Sequence, residues 1–133
     1  VEGKGLGQNA RAALIARGLA EMTRFGLACG ANRETLAGLC GLGDLVLTCS
    51  STSSRNFSLG KGLGEGRSAA VLLADRRTVA EGAFTAPVLR RLADERRIDM
   101  PIVAAVDDLL AGRRSVEDVL EGLLSRPPRP EGA

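Results

Sequence analysis

The sequence predicts an all-α domain, and three observations lead to that fold class. Apolar residues recur at helical spacing in several segments, no alternating strand pattern recurs, and no hairpin dipeptide separates two apolar runs. The chain has 133 residues, 44% of them apolar and 26% charged, which is enough to bury one ordinary globular core. We therefore expect a single domain of about seven helices over residues 1–124. A disordered tail, residues 125–133, would follow it.

The first predicted helix is the longest. A stripe with the i, i+3, i+4 spacing of a buried face begins after Asn9, a plausible N-cap, and runs to about Gly30. The opposite face carries three charged side chains that we expect to face solvent: Arg17, Glu21 and Arg24. Asn32 is suited to cap a second, short helix over residues 33–39, which glycines then interrupt.

The middle of the chain is interpreted from its short apolar runs and its glycines. Asp44 precedes an apolar run that is too short to be assigned to helix or strand by periodicity. A helix is expected to begin near Asn56 and to end among the glycines of residues 60–66, which are interpreted as a flexible turn. Residues 68–74 form another short predicted helix before a charged break at residues 75–77.

The last third of the chain contains two capping-box patterns. One, at residues 78–81, precedes an amphipathic helix that reaches about Arg97. The predicted apolar face of that helix consists of Phe84, Val88, Leu89 and Leu92. Proline suits the first turn of the next helix, residues 101–111. The second capping box begins at Ser115 and opens the last helix, which is predicted to end at Leu124.

Charge argues against several kinds of partner. The net charge of +2 gives no indication of nucleic acid or an anionic membrane, and no aromatic residues interleave the arginine pairs at 90–91 and 96–97, which are expected on an exposed face. No apolar run approaches the roughly 18 residues that a membrane span needs, and the first residues do not resemble a signal peptide. The adjacent carboxylates Asp107 and Asp108 should diverge on a helix and are interpreted as a solvated edge.

The cysteine and histidine content limits the chemistry of this chain. Histidine is absent, which excludes Ser-His-Asp and Cys-His catalysis within these residues. Cys29, Cys40 and Cys49 have no C-x-x-C spacing, so neither a disulfide framework nor a zinc site is predicted. Their number fits a reducing cytoplasm, and each is expected to be a buried small apolar residue.

The polar run at residues 48–56 is the strongest candidate for a binding site. Its hydroxyls and amide donate hydrogen bonds, and its arginine presents a fork of donors that matches phosphate oxygens. A solvated loop that caps the next helix explains the same residues. Asp44, which follows Gly41 and Gly43, is explained either as a helix cap or as an acceptor for a polyol hydroxyl. From these residues alone, capping is the favoured interpretation of both.

Three blocks resemble, in the same order, those of bacterial NAD(P)-dependent glycerol-3-phosphate dehydrogenase. Residues 7–22 resemble its G-D-N-x-K-A-A-L-I-x-R-G-L-x-E-M block, and residues 41–49 with 54–56 resemble its G-x-G-D-L-x-x-T-C…S-R-N signature. Residues 79–86 resemble its V-x-E-G-x-x-T-A block, with M-P-I following at 100–102. The resemblance implies the C-terminal helical substrate domain, with the fold of the 6-phosphogluconate dehydrogenase C-terminal domain and without the N-terminal Rossmann domain.

The resemblance also implies an activity and a set of contacts. The family interconverts dihydroxyacetone phosphate and sn-glycerol 3-phosphate by hydride transfer, in the cytoplasm, for phospholipid synthesis. The implied substrate contacts are Asp44, Thr48, Ser54, Arg55 and Asn56. The implied contacts to NAD(P)H are Arg55, Val79 and Glu81, most of the cofactor being bound by the N-terminal domain. A homodimer is implied, and a metal is not.

Two departures from the family pattern concern charge and proton transfer. Gln8 replaces the usual aspartate, and Arg11 replaces the usual lysine. Arginine keeps the positive charge but cannot exchange a proton near neutral pH, so Arg11 is interpreted as an anchor or an electrostatic group and not as an acid. The family's proton-carrying lysine belongs to a Lys-Asn pair upstream of residue 1, which Lys4, followed by Gly5, does not match. No catalytic residue is therefore expected in this chain.

Two other interpretations stay open at the level of sequence. One is the helical domain of a dehydrogenase for another hydroxy acid or sugar phosphate. The other is a non-catalytic helical dimerisation module. The residues also leave the choice between NADH and NADPH open, because its determinants belong to the N-terminal domain.

Overall fold

A computed structural model describes residues 1–74 and 80–127. The all-α prediction is confirmed: the described residues form α-helices and no strand. The eight helices of this part are α1 (Gly7–Ala28), α2 (Arg33–Leu36), α3 (Asp44–Thr48), α4 (Arg55–Gly64), α5 (Ala69–Leu73), α6 (Gly82–Glu95), α7 (Pro101–Leu110) and α8 (Val116–Leu124). A 3-10 turn at Glu2–Lys4 precedes α1, and a π-helical turn at Leu39–Gly43 joins α2 to α3.

Helix starts agree with the predicted caps at several positions. The Asn32 side chain accepts from the Glu34 N–H at 2.9 Å. The short helix predicted over residues 68–74 is present as α5, and its cap, Ser68, was not predicted. The second capping box is present in full, because Ser115 and Asp118 each accept from the other's backbone N–H. Boundaries differ elsewhere: α1 begins at Gly7, before Asn9, and α2 ends three residues earlier than expected. The charged break at 75–77 and the first half of the first capping box, Thr78 and Val79, lie outside the described residues.

The interpretation of the glycines at 60–66 as a flexible turn was wrong, because they lie mainly inside α4. Gly62 and Gly64 are buried in that helix. A Cβ added at Gly64 would lie 2.9 Å from the Cα of Gly3, and one added at Gly3 would lie 2.2 Å from the Lys61 carbonyl oxygen. The glycines therefore allow the N-terminal 3-10 turn to pack backbone to backbone against α4.

The charged face of α1 does not face solvent, which corrects the prediction for that helix. Glu21 is only 3% exposed, and its carboxylate accepts from the backbone N–H groups of Ile102, at 2.6 Å, and Val103, at 3.2 Å. Arg24 donates to the carbonyl of Asp99, and Arg17 donates to a carbonyl at the end of α8. These charged side chains thus anchor the C-terminal helices to α1.

Asp107 and Asp108 are not a solvated edge either. Asp107 is 8% exposed, and the Arg90 Nη1 atom lies 3.1 Å from its carboxylate and 2.5 Å from that of Asp108. Arg113 pairs with both carboxylates as well, at 2.8 Å from Asp108. The hydrogen bond from Arg90 is the main reason that the pKa of Asp108 is lowered. The prediction of Arg90 as a purely solvent-exposed side chain was therefore wrong, since it joins α6 to α7.

Small residues fill the core where larger ones were expected. The predicted apolar face of α6 is partly wrong, because Phe84 is 66% and Val88 46% exposed, whereas Ala86 and Ala93 are buried. Two cysteines depart from the buried prediction: Cys29 and Cys40 are exposed, and only Cys49 is half-buried. Burial raises the pKa of the Cys49 thiol. Among the described residues, no helix has the length and hydropathy to cross a membrane.

Candidate functional site

The π-helical turn determines where the first predicted site residue lies. Gly41 is buried in this turn, and a Cβ added there would lie 1.9 Å from the carbonyl oxygen of Leu36. Only glycine therefore permits the chain to pass so close to the end of α2 before it enters α3. Turns of this type are uncommon and occur often at functional sites. Asp44 follows directly, as the first residue of α3.

Asp44 does not cap α3, so the capping interpretation was wrong for this residue. Gly43 holds the N-cap position and no side chain caps the helix. The Asp44 carboxylate is exposed and makes no hydrogen bond or ion pair within residues 1–74 and 80–127. Thr48, four residues later and half-buried, lies on the same side of the helix. A carboxylate and a hydroxyl are thus available to a ligand along one face of α3.

The N-terminus of α4 collects three further predicted residues. Ser54 is the N-cap, and its Oγ accepts from the Phe57 N–H at 3.2 Å, which confirms a capping role in the polar run. Its hydroxyl hydrogen is still available to donate. Arg55, the first residue of the helix, is exposed, and its guanidinium has no partner in the described part of the chain. A helix N-terminus with such neighbours attracts anions.

Asn56 connects this helix end to the start of α6. Its Oδ1 accepts from the Gly82 N–H at 3.0 Å, although the two residues are 26 positions apart. Glu81 precedes Gly82 and occupies the N-cap position of α6, but its exposed side chain makes no capping bond. The predicted capping box pairs Glu81 with Thr78, which lies outside the described residues, so that role stays a prediction. The Glu81 carboxylate has no hydrogen-bond or ion-pair partner among the described residues.

The predicted residues thus fall into two groups. Ser54, Arg55 and Asn56 are contiguous and reach the segment that carries Glu81. Asp44 and Thr48 share α3, and no hydrogen bond or ion pair between described residues joins them to the first group. Arg11 pairs with Glu2, and Lys4 pairs with Glu117 and is exposed, as its expected surface role requires. Sequence reasoning missed Gly82, whose only signal was its place beside Glu81.

Replacing Gly41 by alanine should disturb the site through the backbone. The added Cβ would overlap the Leu36 carbonyl, so the π-helical turn must shift and carry Asp44 with it. We expect a loss of about 1–3 kcal/mol in the free energy of unfolding, the usual cost of overpacking. Denaturant titration measures this loss, and Gly60→Ala is the control, because nothing lies within 4 Å of a Cβ added at Gly60. Equal stability of the two variants would contradict the close approach at Gly41.

Together the fold and these polar groups define a small helical domain that offers carboxylate, hydroxyl, amide and guanidinium groups to a ligand at its helix N-termini. Residues 1–121 match the family described as NAD-dependent glycerol-3-phosphate dehydrogenase C-terminus. The chain therefore belongs to this family. The match favours the resemblance seen in the sequence over the two other interpretations.

Proteins similar to this chain include two bacterial relatives named glycerol-3-phosphate dehydrogenase [NAD(P)+]. The one from Erythrobacter litoralis is 71% identical over 131 residues, covering 98% of this chain and 39% of the relative. The one from Novosphingobium aromaticivorans is 72% identical over 127 residues, covering 96% and 38%. The crystal structure of glycerol-3-phosphate dehydrogenase from Coxiella burnetii aligns with a TM-score of 0.89 and 41% identity, over 93% of this chain and 38% of that one. The chain thus spans less than two fifths of each.

Proposed function

We propose that this chain is the substrate-binding part of an NAD(P)-dependent glycerol-3-phosphate dehydrogenase. The full-length protein would interconvert dihydroxyacetone phosphate and sn-glycerol 3-phosphate in the cytoplasm, for phospholipid synthesis. The observation that carries the proposal is the N-terminus of α4, where Arg55, which has no partner among the described residues, stands between Ser54 and Asn56. Family membership supports the same function.

The substrate would be held at both ends by residues of this chain. Arg55 would bind the phosphate through charge-assisted hydrogen bonds, with the Asn56 amide and the Ser54 hydroxyl as neutral donors. The Asp44 carboxylate would accept from a substrate hydroxyl, and Thr48 would lie beside it. Binding that orients the reacting carbon is the contribution of such a domain to catalysis.

The residues present also fit part of a dinucleotide. The exposed Arg55 guanidinium suits a phosphate oxygen, and the exposed Glu81 carboxylate suits a ribose hydroxyl. Val79 belongs to the same proposed contact by resemblance alone. When bound, the nicotinamide supplies or accepts the hydride. In this proposal the residues of the chain bind and orient, while the lysine that carries the proton belongs to the rest of the full-length protein.

The proposed partners follow from the same assignment. A Rossmann domain of the same protein would bind most of the cofactor, and two copies of the full-length protein would form a homodimer. Exposed apolar side chains, among them Leu47 on α3 and Phe84 on α6, supply surface that such partners can cover.

Turnover by the purified full-length protein tests the proposed function. Dihydroxyacetone phosphate should drive oxidation of NADH or NADPH, and dihydroxyacetone, which lacks the phosphate, should be a much poorer substrate. Residues 1–133 alone should show no turnover, because no proton carrier is proposed among them. Absence of activity in the full-length protein, or robust activity of the chain alone, would contradict the proposal.

A further inference from the structure

We infer that Gly82 is a positioning residue that fixes the direction of the Asn56 amide and so determines which of its atoms meets the anionic end of the substrate. The inference rests on the proposed function, in which Asn56 binds the phosphate. It adds to that function a residue outside the predicted substrate contacts. Three features of the α4–α6 junction carry it: a hydrogen bond, the resulting orientation of an amide, and a steric limit.

The hydrogen bond determines the orientation of the amide. The Gly82 N–H belongs to the first turn of α6, where backbone donors have no partner within the helix. It lies 3.0 Å from Asn56 Oδ1. A side-chain amide has one acceptor atom, its oxygen, and one donor atom, its nitrogen. Only the oxygen can form a hydrogen bond with a backbone N–H. The Asn56 oxygen must therefore face α6.

The consequence concerns the other end of the amide. With Oδ1 occupied by Gly82, the two N–H donors of Asn56 Nδ2 are left without a partner in the described part of the chain. They adjoin Arg55 at the N-terminus of α4. In the opposite orientation, the Asn56 oxygen would face the phosphate and repel it. Gly82 thus makes Asn56 a donor for an anion.

A steric limit explains why the donor comes from a glycine. A Cβ added at Gly82 would lie 2.8 Å from Asn56 Oδ1 and 3.2 Å from its Cγ. The atoms that it would meet form the end of a movable side chain rather than backbone. Any larger residue should therefore displace the Asn56 amide and leave the helices in place. Gly82 follows Glu81, so the same segment carries a proposed cofactor contact and the group that orients Asn56.

The test uses four variants of the full-length protein: Gly82→Ala, Asn56→Ala, the double variant, and Gly60→Ala as a control with open space around the added Cβ. We expect Gly82→Ala to raise the KM for glycerol 3-phosphate about tenfold with kcat nearly unchanged, since a bond to a charged group is lost. Isothermal titration of the cofactor-free protein with glycerol 3-phosphate should show the same loss of affinity. The double variant should resemble Asn56→Ala, because both changes remove one interaction.

Asn56→Asp supplies a second test. It keeps an oxygen that accepts from the Gly82 N–H and removes the two N–H donors of the amide. Its KM should rise at least as much as that of Asn56→Ala, because a carboxylate repels the phosphate. A normal KM in Gly82→Ala or in Asn56→Asp, or additive effects in the double variant, would overturn the inference. If the wild-type protein turns over dihydroxyacetone phosphate and Arg55→Leu weakens it, the proposed function stands whatever these variants do. If the wild-type protein has no such activity, both fall.

Discussion

Replacement of Arg55 by leucine in the full-length protein should lower kcat/KM for glycerol 3-phosphate by about 10- to 100-fold. The physical reason is the loss of charged hydrogen bonds, worth about 1.5–3 kcal/mol. The Arg55 guanidinium is exposed and unpartnered within the described residues, so the substitution leaves no buried charge behind and should not unfold the domain. Steady-state kinetics with saturating cofactor measure the effect.

A matched control distinguishes the loss of the proposed phosphate contact from the loss of a positive charge elsewhere on the surface. Arg33 is also the first residue of a helix, also follows a side-chain N-cap, and is also exposed, but it is no part of the proposed site. Arg33→Leu should therefore leave kcat/KM unchanged. Reaction with dihydroxyacetone, which has no phosphate, should be insensitive to Arg55→Leu. Equal losses for the phosphorylated and unphosphorylated substrates would contradict a phosphate contact at this residue.

The features predicted correctly from the sequence are those whose cause is local. Asn32 and Ser115 cap their helices as predicted, because donor and acceptor lie within three residues of each other. Pro101 begins α7 for the same kind of reason, since its fixed φ suits the first turn. Ser54 was predicted both as a cap and as a substrate contact. The cap is confirmed, and the contact stays a prediction.

What the sequence did not reveal depends on residues that are distant in the chain. Helical periodicity predicts that a charged residue opposite the apolar face lies in solvent. Glu21 is buried because the first turn of α7, 81 residues later, packs against it. The glycines of α4 were interpreted as a turn. Gly64 instead lies inside the helix, where a side chain would not fit because the backbone of Gly3 packs against it. Local sequence patterns do not show that α7 packs against Glu21 or that Gly3 packs against Gly64. The contact between Gly82 and Asn56 was hidden for the same reason.

The largest effect on stability should come from Glu21→Ala. The substitution would leave the backbone donors of Ile102 and Val103 without an acceptor at the start of α7. An unsatisfied buried donor costs about 1–3 kcal/mol, so we expect α7 to lose about 2–4 kcal/mol of local stability. Hydrogen exchange of the α7 amides in the full-length protein measures the loss, because two domains need not unfold in one transition. Glu121→Ala, on the exposed face of α8, should change exchange little.

The pH dependence of stability should identify the charge state of Glu21. Burial raises its pKa above the ordinary value of 4.5, although the two backbone hydrogen bonds oppose the shift. A raised carboxyl pKa means that the folded state binds the proton more tightly, so the contribution of Glu21 to the free energy of unfolding should fall as pH rises from 4.5 to the folded-state pKa. Glu21→Gln does not titrate, so its stability relative to wild type should rise over the same interval. Hydrogen exchange of the α7 amides in both proteins from pH 4 to 8, corrected for intrinsic exchange rates, measures the difference. A flat or opposite trend in that difference would contradict the burial of an ionisable group at this helix junction.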